Sequence, residues 1–360
     1  MLVHGCRWLY VAVAASVLFA SCGEEPQPDV TSERATAVTF DAPGDDKGAT
    51  TTLSINNFKV TAFVINSYGG RETLLYNRVA TRVGLNRWDY GEPVDWPTSP
   101  VNFYAISPSS FIMNDEWTRM TVNYYPSAPG NGQAFVGSDV DLLVAVRKNV
   151  DQRNGRLRLN FRHALSQIKV NLCTTIADGQ EVRVRMVAIE GRAEGQLALP
   201  EEDTPRDDFS SGSLDGHWTV WNNYSAPLTL FDAGEGSYVT LTDEPFDLVP
   251  DGKFLVPFDL WPMHSTGYVQ GTRLEVMYQI VDAATGSVIW PDNHTQNIDL
   301  WRDDKSYGVA RFSFRTSTPD GRWRAGKRYR YNVDIKGPYA FPVESRADNP
   351  PVMDVEVADI

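Results

Sequence analysis

From Ala35 to the C-terminus, apolar positions recur with a period of two. Phe58-Lys59-Val60-Thr61-Ala62-Phe63-Val64 is short and rich in β-branched and aromatic residues. Ile168-Lys169-Val170-Asn171-Leu172, Val182-Arg183-Val184-Arg185-Met186, Leu274-Glu275-Val276-Met277-Tyr278 and the run from Tyr329 to Ile335 alternate more strictly. Alternation places the apolar set on one face of a sheet and the charges on the other, as in antiparallel sheets with one wet side. Asp178-Gly179 lies between two such runs and supplies the positive φ of a tight hairpin. Pro250-Asp251-Gly252 and Pro319-Asp320-Gly321 carry the Pro and Gly of tight β-turns. No run of a dozen residues has a helical stripe; residues 137–146 have room for a short turn of helix. Many short strands separated by Gly and Pro predict an all-β chain of sandwiches or barrels.

The polar stretch 148–155 follows an apolar run and precedes a new series of strands, so it marks a domain break. The predicted organisation is a signal segment over 1–21, a tether over 22–34, an N-terminal unit over 35–152 and a C-terminal unit over 153–360. The acidic, Ser/Gly-rich stretch 201–216 reads as an exposed loop.

The first residues set the compartment. Arg7 precedes an apolar run over 8–20, which is too short to span a bilayer, for which about 20 residues are needed. The run fits the core of a secretory signal peptide. It ends in Leu18-Phe19-Ala20-Ser21-Cys22, where small side chains precede a thiol able to carry diacylglycerol. Lipidation at Cys22 would anchor the protein to the outer membrane without a transmembrane helix. The acidic Gly23-Glu24-Glu25 that follows reads as a surface-export tag on a disordered tether. Cys6 leaves with the signal, so Cys173 remains without an intrachain disulfide partner. Removing residues 1–21 takes away Arg7 and no carboxylate, so 46 acidic side chains face 32 basic ones (33 less Arg7). That balance opposes nucleic-acid binding, which needs Lys and Arg against phosphate.

Catalytic signals are missing. His163, His217, His264 and His294 are scattered, and no pair has metal-ligand spacing. There is no nucleophile elbow, P-loop or dinucleotide fingerprint. The chain reads as a non-enzyme with no cofactor and no metal. Two aromatic groups, Trp88/Tyr90/Trp96 and Trp218/Trp221/Tyr224, read either as core anchors or as platforms for a glycan or protein partner on a host or bacterial surface. Trp218, Trp221 and Tyr224 are the better ligand candidates because they follow the polar loop. At the C-terminus, Met353, Val355 and Val357 lie on one face of an alternating strand, behind Asn349-Pro350-Pro351. A strand behind such a breaker can fold onto its own sheet or complete a neighbour's.

The sequence resembles the fimbrillin family of fimbrial subunits from Gram-negative anaerobes. Carrying the resemblance are the cysteine motif ending at Cys22, Ala35-Thr-Ala-Val-Thr-Phe40, Phe58-Lys-Val-Thr-Ala-Phe-Val64, and Trp96-Pro97 with Val101-Asn-Phe-Tyr-Ala105. Asp141-Leu-Leu-Val-Ala145, Phe161-Arg-His-Ala-Leu-Ser-Gln-Ile-Lys-Val170 and Trp323-Arg-Ala-Gly-Lys-Arg-Tyr329 continue it in order. The resemblance implies two tandem transthyretin-like β-sandwich domains, export as a lipoprotein, and assembly with other fimbrial subunits. It further implies that an arginine-specific cut removes the anchor and the first strand, here residues 35–42. The C-terminal strand of the next subunit, here 352–360, would then fill the groove. The window 43–52 holds Lys47 and no arginine, while Arg34 precedes the strand. Cleavage after Lys47 would open the groove; a chain that keeps its lipid would serve as an anchor or as a lipid-anchored adhesin that does not polymerise.

Overall fold

The computed structural model describes residues 37–41, 55–84, 87–123, 139–151, 156–191, 194–204, 214–220, 227–261, 271–292, 306–338 and 353–360. The chain is nearly all β, as the period-two pattern predicts. In the N-terminal half the strands are β1 (Phe40–Asp41), β2 (Asn57–Ile65), β3 (Arg71–Gly84), β4 (Arg87–Asp89), β5 (Val101–Ser107), β6 (Arg119–Asn123), β7 (Leu143–Val150), β8 (Leu157–Arg158) and β9 (Arg162–His163). Six of them form one antiparallel sheet in the order β4-β3-β2-β5-β7-β9. The central strands read as almost continuous apolar runs because both faces of this sheet are covered. Phe58, Val60, Phe103, Ala105 and Ala145 enter one core, together with Val38, Phe40, Leu157 and Phe161. Tyr104, Ile106, Val144 and Val146 face the other way, into a second core shared with the rest of the chain. Residues 143–146 therefore extend as strand; the short helical turn considered for 137–146 is not adopted there.

The second half contains β10 (Ser166–Cys173), β11 (Gln180–Glu190), β12 (Glu194–Ala198), β13 (Trp218–Val220), β14 (Leu228–Asp232), β15 (Val239–Thr240), β16 (Phe246–Asp247), β17 (Lys253–Leu255), β18 (Arg273–Asp282), β19 (Val288–Trp290), β20 (Gly308–Ser313), β21 (Lys327–Asp334) and β22 (Asp354–Asp359). A one-turn helix, α1 (Phe314–Ser317), follows β20, and the Ser313 side chain caps it. One sheet runs β16-β10-β21-β22, with β17 also on β10; another runs β14-β11-β18-β19, with β15 on β11 and β20 on β18. Their inner faces meet through Ile168, Val170, Tyr331, Val333, Val184, Val276 and Phe312. Thr318 and the indole N–H of Trp323 both bond the Tyr331 hydroxyl, at 2.5 and 2.7 Å.

Two sequence expectations change. Asp178-Gly179 does turn, with Gly179 at φ +82°. It joins strands of different sheets rather than a hairpin pair: β10 pairs with β21 in parallel and β11 pairs with β18. Both flanking strands aim their apolar residues into the same core, so the chain must cross from one layer to the other. The stretch 201–216 is exposed at Glu201 and Glu202, but its described ends are pinned. Thr204 is buried and bonds the Val146 carbonyl, and Asp215 accepts from the Ala325 N–H at 2.6 Å.

A three-stranded sheet, β13-β12-β6, joins the halves, because β6 precedes the polar 148–155 stretch and its partners follow it. A Cβ on Gly195 of β12 would lie 2.8 Å from Val256 and 3.2 Å from Trp218, so this position admits no side chain without a shift.

Candidate strand-exchange site

Residues 37–41 form a short strand seated between two neighbours. The Val38 N–H donates to Val94 O at 2.8 Å, and the Leu157 N–H donates to Thr39 O at 2.9 Å. Phe40 and Asp41 of β1 pair in parallel with Leu157 and Arg158 of β8. The Tyr90 hydroxyl donates to Val38 O at 2.6 Å and accepts from the Val94 N–H. Val38 is 0 % and Phe40 2 % exposed, with Thr39 between them facing solvent. The Phe40 ring meets Phe58, Tyr90 and Phe103 edge-on at 5.6, 5.2 and 6.4 Å. Beside it lies a cleft of about 430 Å³ lined in part by Val83, Arg87, Trp88, Tyr90 and Arg156.

This geometry makes the segment a wedge inserted between the two neighbours. Its hydrogen bonds run to Val94, Tyr90 and Leu157, and two of its side chains fill a core built otherwise by residues from Ile55 onward. Without it, backbone groups at Val94 and Leu157 would lose partners and an aromatic slot would open; both features attract another strand.

The C-terminal strand lies at an edge. β22 pairs antiparallel with β21, from Lys327 opposite Asp359 to Asn332 opposite Asp354, and no strand among the described residues pairs with its other side. Met353 is buried, Val355 half-buried and Val357 42 % exposed. Ile360 is buried as well, and its N–H donates to Gly326 O. Met353 and Val355 on this face pack against the core, Met353 fully and Val355 in part, while Val357 lies in water. The strand folds home while keeping most of its side chains in water.

Trp218 occupies a packing position: it is half-buried, and its indole N–H donates to Ala164 O at 2.8 Å. Tyr90 and Trp96 are buried in the N-terminal core. His163 is buried, with Nδ1 2.5 Å from an Asp141 carboxylate oxygen. Among the described residues no cluster of His, Cys, Asp and Glu suits a metal ion, and no helix is long and apolar enough to cross a membrane. Cys22, Arg34, Lys47, Trp221 and Tyr224 lie outside the described residues.

Residues 41–238, more than half of the chain, match the model of a family described as fimbrillin-like. The chain belongs to the fimbrillin-like family. Among curated proteins there is no significant match. Solved structures that it resembles include a candidate cell adhesion protein from Bacteroides uniformis, at 14 % identity, 90 % coverage of this chain, 99 % of that one and a TM-score of 0.49. A fimbrilin from Porphyromonas gingivalis W83 aligns at 8 % identity, with 90 % and 97 % coverage and a TM-score of 0.49. The tip fimbrial protein Mfa3 from Porphyromonas gingivalis, truncated at its C-terminus, aligns at 8 % identity, with 84 % and 93 % coverage and a TM-score of 0.37. Family membership makes this fimbrillin-like chain a fimbrial subunit of the cell surface that associates with other fimbrial subunits.

The resemblance implies the groove, but sequence reasoning missed the residues that wall it. Tyr90 appears in the sequence only as one of three clustered aromatics, and Leu157–Arg158 carries no signal that it pairs with a strand more than a hundred residues earlier. The alternation of Val38 and Phe40 about Thr39 was the single available cue.

Proposed function

We propose that this fimbrillin-like chain is a structural subunit of a fimbria, exported as a lipoprotein through Cys22 and polymerised by strand exchange. Loss of residues up to Lys47 removes the wedge, and residues 352–360 of the next subunit fill the slot. The observation that carries the reading is the burial of Val38 and Phe40 in a core completed from outside the main sheet, on backbone bonds to Val94 and Leu157. A vacated slot of this kind exposes apolar surface and unpaired backbone that an incoming alternating strand satisfies. The two units, 35–152 and 153–360, are read as tandem transthyretin-like sandwiches; most of the slot belongs to the first, Leu157–Arg158 at the start of the second closes one side of it, and the donor strand ends the second. The outer membrane holds the lipidated precursor, and partners beyond fimbrial subunits include host or bacterial surface molecules.

Mass spectrometry of the N-terminal peptide from the native cell surface tests this. A peptide beginning at Gly48 is expected for a polymerising subunit. An acylated peptide beginning at Cys22 overturns polymerisation through this slot and makes the chain a lipid-held anchor or solitary adhesin.

A further inference from the structure

The same C-terminal strand that strand exchange requires already has a berth on its own sheet, and two ion pairs flank the exposed middle of that berth. Asp359 lies 2.7 Å from the Lys327 ammonium. Glu356 lies 3.6 Å from the Arg330 guanidinium and accepts from the Asn332 side-chain amide at 3.5 Å. These cations belong to β21, where Arg330 shares a face with Arg328 and stands beside Lys169 of β10, while Lys327 lies at the start of the strand. The apolar contribution is concentrated at the two ends. Met353 is buried and its N–H bonds the Ser317 hydroxyl at 3.1 Å; Ile360 is buried at the far end. Between them, Glu356, Val357, Ala358 and Asp359 are all exposed.

Resting on the strand-exchange reading, we propose that the home position of β22 is an autoinhibitory berth, held by the Lys327–Asp359 and Arg330–Glu356 pairs, that withholds the donor strand from a second copy of the chain. Docking within one chain competes at a high effective concentration against any neighbour's slot. Exchange therefore starts from a minor population in which β22 has left β21. Release of the strand withdraws Met353 and Ile360 from their buried sites and breaks one ladder of backbone bonds together with the two exposed ion pairs, and only the ion pairs respond to salt. Exposed pairs are individually weak and are screened by salt. The berth is accordingly loosened by ionic strength, and its occupancy is tuned by two side chains that are not part of the slot. It also covers the β21 edge in the free subunit, which blunts indiscriminate edge pairing.

Hydrogen exchange of residues 353–360 in the full chain reads the berth directly. The double substitution Glu356→Gln with Asp359→Asn is expected to speed exchange about three- to tenfold. Raising NaCl to 1 M should speed the parent by a similar factor and leave the variant unchanged. Asp354→Asn, which touches no ion pair, should match the parent at both salt concentrations. The second arm uses chains carrying one engineered protease site between Lys47 and Gly48, with fibre growth followed by light scattering after the cut. The double variant should grow faster than the parent by a comparable factor. Unchanged protection, salt acceleration that persists in the variant, or equal growth rates in two assembling chains each overturn the berth and leave strand exchange standing. Failure of both cut chains to assemble overturns strand exchange itself, and the regulatory role falls with it.

Discussion

Phe40→Ala asks whether residues 37–41 are part of the N-terminal core or a strand laid upon it. Phe40 is 2 % exposed, and its ring touches three others. Truncating a buried phenylalanine costs about 3–5 kcal/mol, from lost transfer energy and from the cavity left behind. Edge-on aromatic pairs add about 0.5–1.5 kcal/mol each beyond burial. Part of this is recovered if Tyr90 or Phe58 relaxes inward, so about 4 kcal/mol is the working value. Loss on that scale speeds exchange from globally protected amides roughly a thousandfold, at 1.4 kcal/mol per tenfold, provided they open with the core. Hydrogen exchange of peptides covering β2 and β5 is the assay, because Phe58 and Phe103 reside there. Thr39→Ala, at the exposed position between the two buried ones, should stay within about 0.5 kcal/mol of the parent. A Phe40→Ala effect below about 1 kcal/mol, or equal effects at both positions, would refute the wedge as a core element.

Three further perturbations probe the framework around the site. Glu275 is buried between Arg311 and Arg273, with Nε···Oε1 distances of 2.7 and 3.0 Å. Burial pushes its carboxyl up, but the two guanidiniums and their hydrogen bonds pull it further down, so the folded value lies below the ordinary one. A depressed folded value stabilises the protein above the unfolded carboxylate range, and that stability is lost as pH falls through the folded value. Glu275→Gln should therefore cost about 3 kcal/mol at pH 7 and progressively less in acid, as measured by urea midpoints across pH. A pH-independent difference would contradict the charge argument. Tyr331→Phe removes the hydroxyl that bonds Trp323 and Thr318, and should cost about 2 kcal/mol in the same melt. Burial pushes the Tyr331 hydroxyl above its ordinary range, so alkaline titration should leave it protonated until the fold opens. Trp218→Phe should cost about 1 kcal/mol through the lost bond to Ala164 O; no change in stability would return Trp218 to the role of an exposed contact.

Local elements were legible where one residue pattern decides them. The strands at 168–172, 182–186, 274–278 and 329–335 follow from alternation, and the turns at Gly252 and Gly321 follow from positive φ at glycine. Pairing was less legible. Asp178-Gly179 looks like a hairpin turn from its neighbours alone, because sequence does not say whether two adjacent strands share a sheet or face each other across a core. The groove depended on Val94 and Leu157 meeting Val38 and Thr39 over long separations, which no period records. Trp218 was ambiguous for a related reason: a tryptophan after a polar loop is a platform or an anchor according to whether a carbonyl such as Ala164 O awaits its N–H. The C-terminal strand stood out for its Pro-Pro breaker and alternation, yet only the register on β21 reveals which of its acids are held at home.

The central claim is that one subunit's C-terminal strand replaces the first strand of the next. Electron cryo-microscopy of fibres recovered from the cell surface tests it most directly, by tracing the chain between Val94–Asp95 and Leu157–Arg158. The account predicts density there that belongs to residues 352–360 of an adjacent subunit, with Met353, Val355 or Val357 in the places of Val38 and Phe40. Density continuous with residues 37–41 of the same chain, with β22 still on β21, would contradict it.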